Sequence, residues 1–184
     1  MPVRRRQERR EERQDDRQTF GRGGDAIQYQ MKEKLLSIGD DSWIETNHGE
    51  RAFKVNGKAL RLRKTLIFED PNGNALAHIQ DRPVRVRDTV EVEGPDGGTL
   101  ATIKKAMITP LRERYSVKVS DGPDLEVQGN IVDHEYQISA GSDKVAEVSK
   151  KWFRVRDTYG VQIEPGQDAI LILAITVAID IISH

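Results

Sequence analysis

The stretch Asp168–His184 reads DAILILAITVAIDIISH, and whether it enters a membrane or is enclosed by the protein decides the fold. From Ala169 to Ile182 its only polar side chains are Thr176 and Asp180. It shows neither strict alternation nor a polar helical stripe, so it calls for enclosure on every side. As a strand it would be unusually long. As a helix of about 14 residues it spans roughly 21 Å, short of the ~30 Å hydrocarbon core of a bilayer. Asp180 would also sit inside that span. Pro165 and Gly166 break the preceding segment, and Asp168 stands where an N-cap carboxylate accepts the first free amides. Ile, Val and Thr give poor intrinsic helicity, so a helix over about 168–182 needs tertiary enclosure to stabilise it.

The upstream sequence offers that enclosure. Leu66–Ile79 (LIFEDPNGNALAHI), Val90–Ile103 (VEVEGPDGGTLATI) and Tyr136–Ser149 (YQISAGSDKVAEVS) each read as strand, turn and returning strand. Their Asp, Asn and Gly residues supply the positive φ and side-chain bonds that tight turns require. Ser116–Ile131 is a fourth, less regular copy. A longer echo joins RVRDTVEV at Arg85 to RVRDTYGVQI at Arg154, and suggests two similar halves of one sheet. Alternation puts Val84, Val86, Val90 and Val92 on one face and Arg85, Arg87, Glu91 and Glu93 on the other. A mainly β fold is expected, a closed antiparallel barrel lined with Val, Ile and Ala around the apolar helix.

The rest of the chain bounds the function. It has 184 residues, 29 Lys+Arg against 30 Asp+Glu and no Cys. The near-zero net charge gives no global pull toward nucleic acid or an anionic membrane, so any electrostatic partner must be met locally. Without cysteine there is no disulfide framework or thiolate metal site. Residues 1–24 carry eight arginines and five acids with almost no apolar group but Phe20. They read as a charged, disordered arm ahead of a domain over 25–184, and the arginines lead into no apolar h-region of a signal peptide. A cytoplasmic protein is expected, peripheral to the membrane if it meets one.

Five stretches together resemble the LURP-one-related proteins of the tubby C-terminal-like superfamily, to which phospholipid scramblases also belong. They are MKEKLLSIGDDSWI, FKVNGKALRLRKTLIFED, GNIVDHEYQI, VAEVSKKWFRVRDTYGVQI and LAITVAIDIISH. The resemblance implies a barrel of about twelve strands threaded by a hydrophobic C-terminal helix. Its superfamily also implies lipid, since tubby domains bind phosphoinositides and scramblases are linked to lipid movement.

No catalytic constellation stands out. His48, His78, His134 and His184 are scattered, and none has the spacing that places two ligands on one metal. His134 and Glu135 read as neighbours on a strand, pointing to opposite faces. Ser142 falls in a hairpin turn with no nucleophile elbow around it, and Asp40 and Asp41 read as a turn. A non-enzymatic domain without cofactor or metal is expected. Its binding candidates are three R-x-R pairs laid along strands, Arg61 with Arg63, Arg85 with Arg87 and Arg154 with Arg156. Lys104, Lys105, Lys150 and Lys151 join them after two hairpins. Paired guanidinium groups grip phosphate bidentately, although cross-strand ion pairs are the ordinary use of such residues. Trp43 reads as an interfacial anchor and Trp152, beside Phe153, as the closure of a barrel end.

The leading functional expectation is therefore binding of anionic phospholipid or phosphoinositide headgroups. The alternatives are scramblase-like lipid transport and a protein or nucleic-acid module working through the Arg-rich arm. Because residues 1–24 hold too little apolar area to offset their ordering entropy, deleting them is expected to leave the melting temperature within a few degrees. A large loss in calorimetry would show that the arm packs against the domain.

Overall fold

The computed structural model describes residues 26–33, 41–57, 65–81, 89–108, 112–155 and 157–183. The first half of the sheet is β1 (Ile27–Lys32), β2 (Ser42–Thr46), β3 (Arg51–Asn56), β4 (Thr65–Glu69), β5 (Ala75–Asp81) and β6 (Thr89–Glu93). The second half is β7 (Thr99–Ile108), β8 (Glu113–Val119), β9 (Leu125–Asn130), β10 (Glu135–Ala140), β11 (Asp143–Ser149) and β12 (Thr158–Ile163). Each strand pairs antiparallel with the next, and β1 closes on β12 from Ile27↔Ile163 to Lys32↔Thr158. The four hairpins expected from the sequence are β4–β5, β6–β7, β10–β11 and β8–β9. The two RVRDT echoes lead into β6 and β12, half a barrel apart.

Period-two patterning drives one face of every strand inward. In β8 Tyr115 and Val117 are buried while Arg114, Ser116 and Lys118 are exposed. Inward residues meet across strands as Ile79↔Val92, Val90↔Ile103, Val127↔Ile138 and Val148↔Val161. Such cross-strand aliphatic pairs are the unit of sheet stabilisation, and they fix register because a one-residue slip would turn them to solvent.

The hairpins β2–β3, β4–β5 and β6–β7 share one turn. In each, Gly49, Gly73 or Gly97 lies at φ 81, 89 or 84, and the register shifts just before the turn. A left-handed glycine beside a bulge adds the local twist that a closing sheet requires. In β4–β5 the Asp70 carboxylate also accepts the Asn72 and Asn74 amides at 2.8 and 2.9 Å.

The barrel encloses α1 (Ala169–Ser183), whose residues Ile172–Asp180 are all buried. Asp168 caps it as expected, its Oδ1 accepting the Leu171 amide at 3.1 Å. The helix packs against β5, β6, β7 and β12. Among the described residues no helix is long and apolar enough to cross a membrane. Antiparallel pairing all round leaves two rims. Tight hairpins and the start of α1 occupy one, and the C-terminal ends of β1, β3, β5, β7, β9, β11 and α1 reach the other.

Ile175 is inaccessible to solvent in the middle of α1. Ile175→Ala is expected to cost about 2–5 kcal/mol through lost burial and the cavity left behind, measured by urea unfolding. A loss below about 1 kcal/mol would mean that the helix packs loosely in the barrel.

Candidate functional site

At the second rim the turn Ile131–His134 joins β9 to β10. Asn130 Nδ2 donates to Asp133 Oδ2 at 2.7 Å, and the Asp133 amide returns to Asn130 Oδ1 at 3.2 Å. The chain enters the turn through Gly129, where an added Cβ would stand 2.4 Å from the Glu135 carbonyl oxygen and 2.6 Å from Tyr136 Cα. Only glycine permits that approach. It leaves through His134 at φ 51. His134 therefore belongs to the turn and not to a strand, in contrast to the sequence reading, and its ring is turned into the protein with only 2% exposure.

The His134 ring stacks on Tyr159 with centroids 4.2 Å apart. Its Nε2 lies 3.2 Å from Asp180 Oδ1, an ionic distance although off the hydrogen-bonding axis, and Nδ1 stands 4.0 Å from Glu33 Oε1. Asp180 is the only charged residue of α1, and the Tyr159 hydroxyl donates to its Oδ2 at 2.7 Å. A buried carboxylate needs such donors, because leaving it unanswered costs far more than the contacts themselves gain. Burial pushes the Tyr136 and Tyr159 hydroxyls well above their ordinary value, and the Asp180 charge pushes both further. This cluster fastens the end of the helix to β12 and to the β9–β10 turn.

Over the cluster opens a cleft of about 630 Å³, lined by Glu33, Asp133, Glu135, Lys150, Lys151, Phe153, Arg154, Val155, Asp157 and Thr158. Glu33 pairs with Lys150. Glu135 accepts from the Ser149 hydroxyl at 2.9 Å and from the Lys150 and Lys151 amides at 3.0 and 3.3 Å. Burial raises its carboxyl above the ordinary carboxylate range, and these donors with the charge of Lys151 partly oppose that. Asp157 sits at φ 65, and its carbonyl accepts the Glu33 amide at 2.8 Å, which ties the β11–β12 connection to the end of β1.

Of the basic residues singled out in the sequence, Lys150, Lys151 and Arg154 meet here. Arg154 lies in the β11–β12 connection and not along a strand, because β11 ends at Ser149 and β12 begins only at Thr158. Lys104 is exposed on the outer face of β7. Lys105 is half-buried, 2.8 Å from Glu113 and 5.6 Å from the centre of the Tyr115 ring. Burial alone would lower its ammonium pKa, but Glu113 and Tyr115 together more than offset this. Arg61, Arg63, Arg85, Arg87 and Arg156 lie outside the described residues, as do residues 1–24 and Asp40. Asp41 pairs with Lys54 at 3.1 Å. Trp43 is half-buried beneath the Arg51 guanidinium, 4.5 Å from the ring centre.

The model of the LURP-one-related family matches residues 27–180. The chain belongs to that family. It is similar to the uncharacterized protein YxjI of Bacillus subtilis, 27% identical over 158 residues that cover 86% of this chain and 94% of the other. An X-ray structure of an Arabidopsis thaliana protein superposes with a TM-score of 0.65 at 18% identity, covering 86% of this chain and 92% of that one, and it shares the fold. The closed barrel around a C-terminal helix is thus a fold that this LURP-one-related protein shares with a plant protein.

The tyrosine pair gives the cluster a measurable signature. A folded pKa raised above the unfolded 10.0 means that the contribution of Tyr136 and Tyr159 is complete below that pH and is lost as pH rises toward their folded values. In an alkaline near-ultraviolet titration, these two are expected to ionise only together with the loss of circular dichroism. Reversible ionisation of all four tyrosines in a still-folded protein would show that the cluster is open to water.

Proposed function

We propose that this protein is a non-enzymatic module that docks on anionic phospholipid surfaces, phosphoinositide headgroups among them, through the rim that carries the cleft. One observation carries the reading. Val132 and Val155 are 63% and 69% exposed, the most exposed large hydrophobics among the described residues, and both flank this rim. Val155 follows Arg154 directly and lines the cleft with Lys151, while Val132 precedes the cleft residue Asp133. Apolar tips that enter the headgroup layer beside cations that meet phosphate are what a peripheral membrane domain uses, and each cation near an anionic surface contributes about 1 kcal/mol. Among the described residues no hydrogen bond or close ion pair holds the Lys151 or Arg154 side chain, and Lys151 acts on Glu135 only through its charge. Docking is favoured over scramblase-like transport by the enclosure of α1, which would have to leave the barrel interior to insert in a bilayer. The non-enzymatic part of the reading rests on His134, whose ring is covered by Tyr159 and Asp180 instead of opening into the cleft.

In flotation assays at low salt, the protein is expected to bind anionic vesicles over neutral ones. Lys151→Gln with Arg154→Gln should weaken binding several-fold at unchanged melting temperature, and added salt should weaken the wild type similarly. Val155→Ser should weaken it without changing the salt dependence. Absence of wild-type binding, or a double variant that binds as well as the wild type, would overturn the proposal.

A further inference from the structure

The charges left over in the cleft say which headgroup it takes. Four carboxylates and three cations line it, a balance ill suited to a purely anionic ligand. Most of these are already answered within the protein. Glu33 is paired with Lys150, and Glu135 is occupied by the Ser149 hydroxyl and two backbone amides. Lys151, Arg154, Asp133 and Asp157 remain, and among the described residues no ion pair engages any of them. One Asp133 oxygen accepts from Asn130. A ligand offering phosphate alone would satisfy the two cations and leave two carboxylates beside its negative charge. Such like-charge contacts oppose binding.

We infer that the cleft recognises a zwitterionic headgroup in which a primary ammonium stands a short carbon chain away from a phosphate, the chemistry of phosphoethanolamine and phosphoserine. The inference rests on the lipid-docking reading above and names the lipid class that serves it. Phosphate sits at Lys151 and Arg154, and the ammonium at Asp157 and Asp133. A primary ammonium is required because it presents three N–H donors to carboxylate acceptors. A quaternary ammonium presents none and is held by aromatic cages, whereas Phe153 is the only aromatic residue lining the cleft among those described. Asp157 is also fixed in place: its left-handed backbone and its bond to the Glu33 amide hold it at the junction of β1 and β12. At about 630 Å³ the space accommodates a headgroup together with its glycerol phosphate.

The test uses flotation with phosphatidylcholine vesicles carrying, in turn, phosphatidylethanolamine, phosphatidylglycerol or phosphatidylserine. At matched negative charge, phosphatidylserine should bind about fivefold tighter than phosphatidylglycerol. Phosphatidylethanolamine should raise binding although it adds no net charge. Asp133→Asn with Asp157→Asn should abolish that preference and leave charge-dependent binding in place, since Asn keeps both the turn and the positive φ. Melting temperatures of the variants report on the fold. Nuclear magnetic resonance titrations with soluble O-phosphoethanolamine and phosphocholine separate the headgroup chemistry from the membrane. Equal binding to phosphatidylglycerol and phosphatidylserine, with no effect of phosphatidylethanolamine, overturns this inference while lipid docking stands. Saturable O-phosphoethanolamine binding that Asp157→Asn removes, without vesicle binding, upholds the headgroup chemistry and overturns lipid docking. Binding to neither vesicle nor soluble headgroup overturns both.

Discussion

Everything in this fold answers to the burial of α1. A helix so rich in Ile and Val has little stability in water, and it exists because twelve strands surround it with matching aliphatic side chains. The dependence is mutual, since a barrel of this girth without its helix would enclose a void that packed protein interiors do not tolerate. Asp180 is the one charged residue that α1 carries into that interior. Its presence obliges the surrounding elements to bring polar groups inward, and Tyr159 and His134 do so from β12 and the β9–β10 turn.

The two rims divide the labour of the molecule. At one, three hairpins return the chain through a single repeated glycine turn. At the other, the β9–β10 and β11–β12 connections carry non-glycine residues at positive φ in His134 and Asp157 and bear the cleft, and the β11–β12 connection is the longer of the two. Backbone held in uncommon conformations gathers at functional sites when the surroundings over-determine it. Here the Asn130–Asp133 bonds, the Gly129 approach and the Glu33–Asp157 amide bond provide that support.

The fold was legible because it rests on local, repeated signals. Alternation in Val90–Ile103 or Tyr136–Ser149, turn residues between the strands and the Asp168 cap each point to their structure within a dozen residues. The 24-residue spacing of Gly49, Gly73 and Gly97 was equally open to reading, and it marks three copies of one bulged turn. The cluster beneath the cleft was legible only by half. A lone Asp180 in an apolar helix announces that it needs partners, but nothing local says that they come from Tyr159 and His134, residues distant in sequence that meet only when the barrel closes. His134 was misplaced for a related reason: the Asn130–Asp133 bonds and the Gly129 approach, which make Ile131–His134 a turn, are tertiary choices within a segment that reads as strand. The same applies to Arg154, whose R-x-R pattern has the period of a strand while the chain there forms a connection.

Ring closure has a kinetic side. The contact that seals the barrel joins β1 to β12, so Ile27 must find Ile163 across nearly the whole domain before the sheet loses its free edges. Closing so long a loop carries a large entropic cost, and folds dominated by distant pairings are slow to form. Until that pairing is made, two unsatisfied strand edges and an unplugged apolar channel face solvent together, which is the combination that invites association between nascent chains. For this architecture the hazardous interval is the approach to the native state, and cellular folding assistance would act most strongly on a barrel still lacking its last seam.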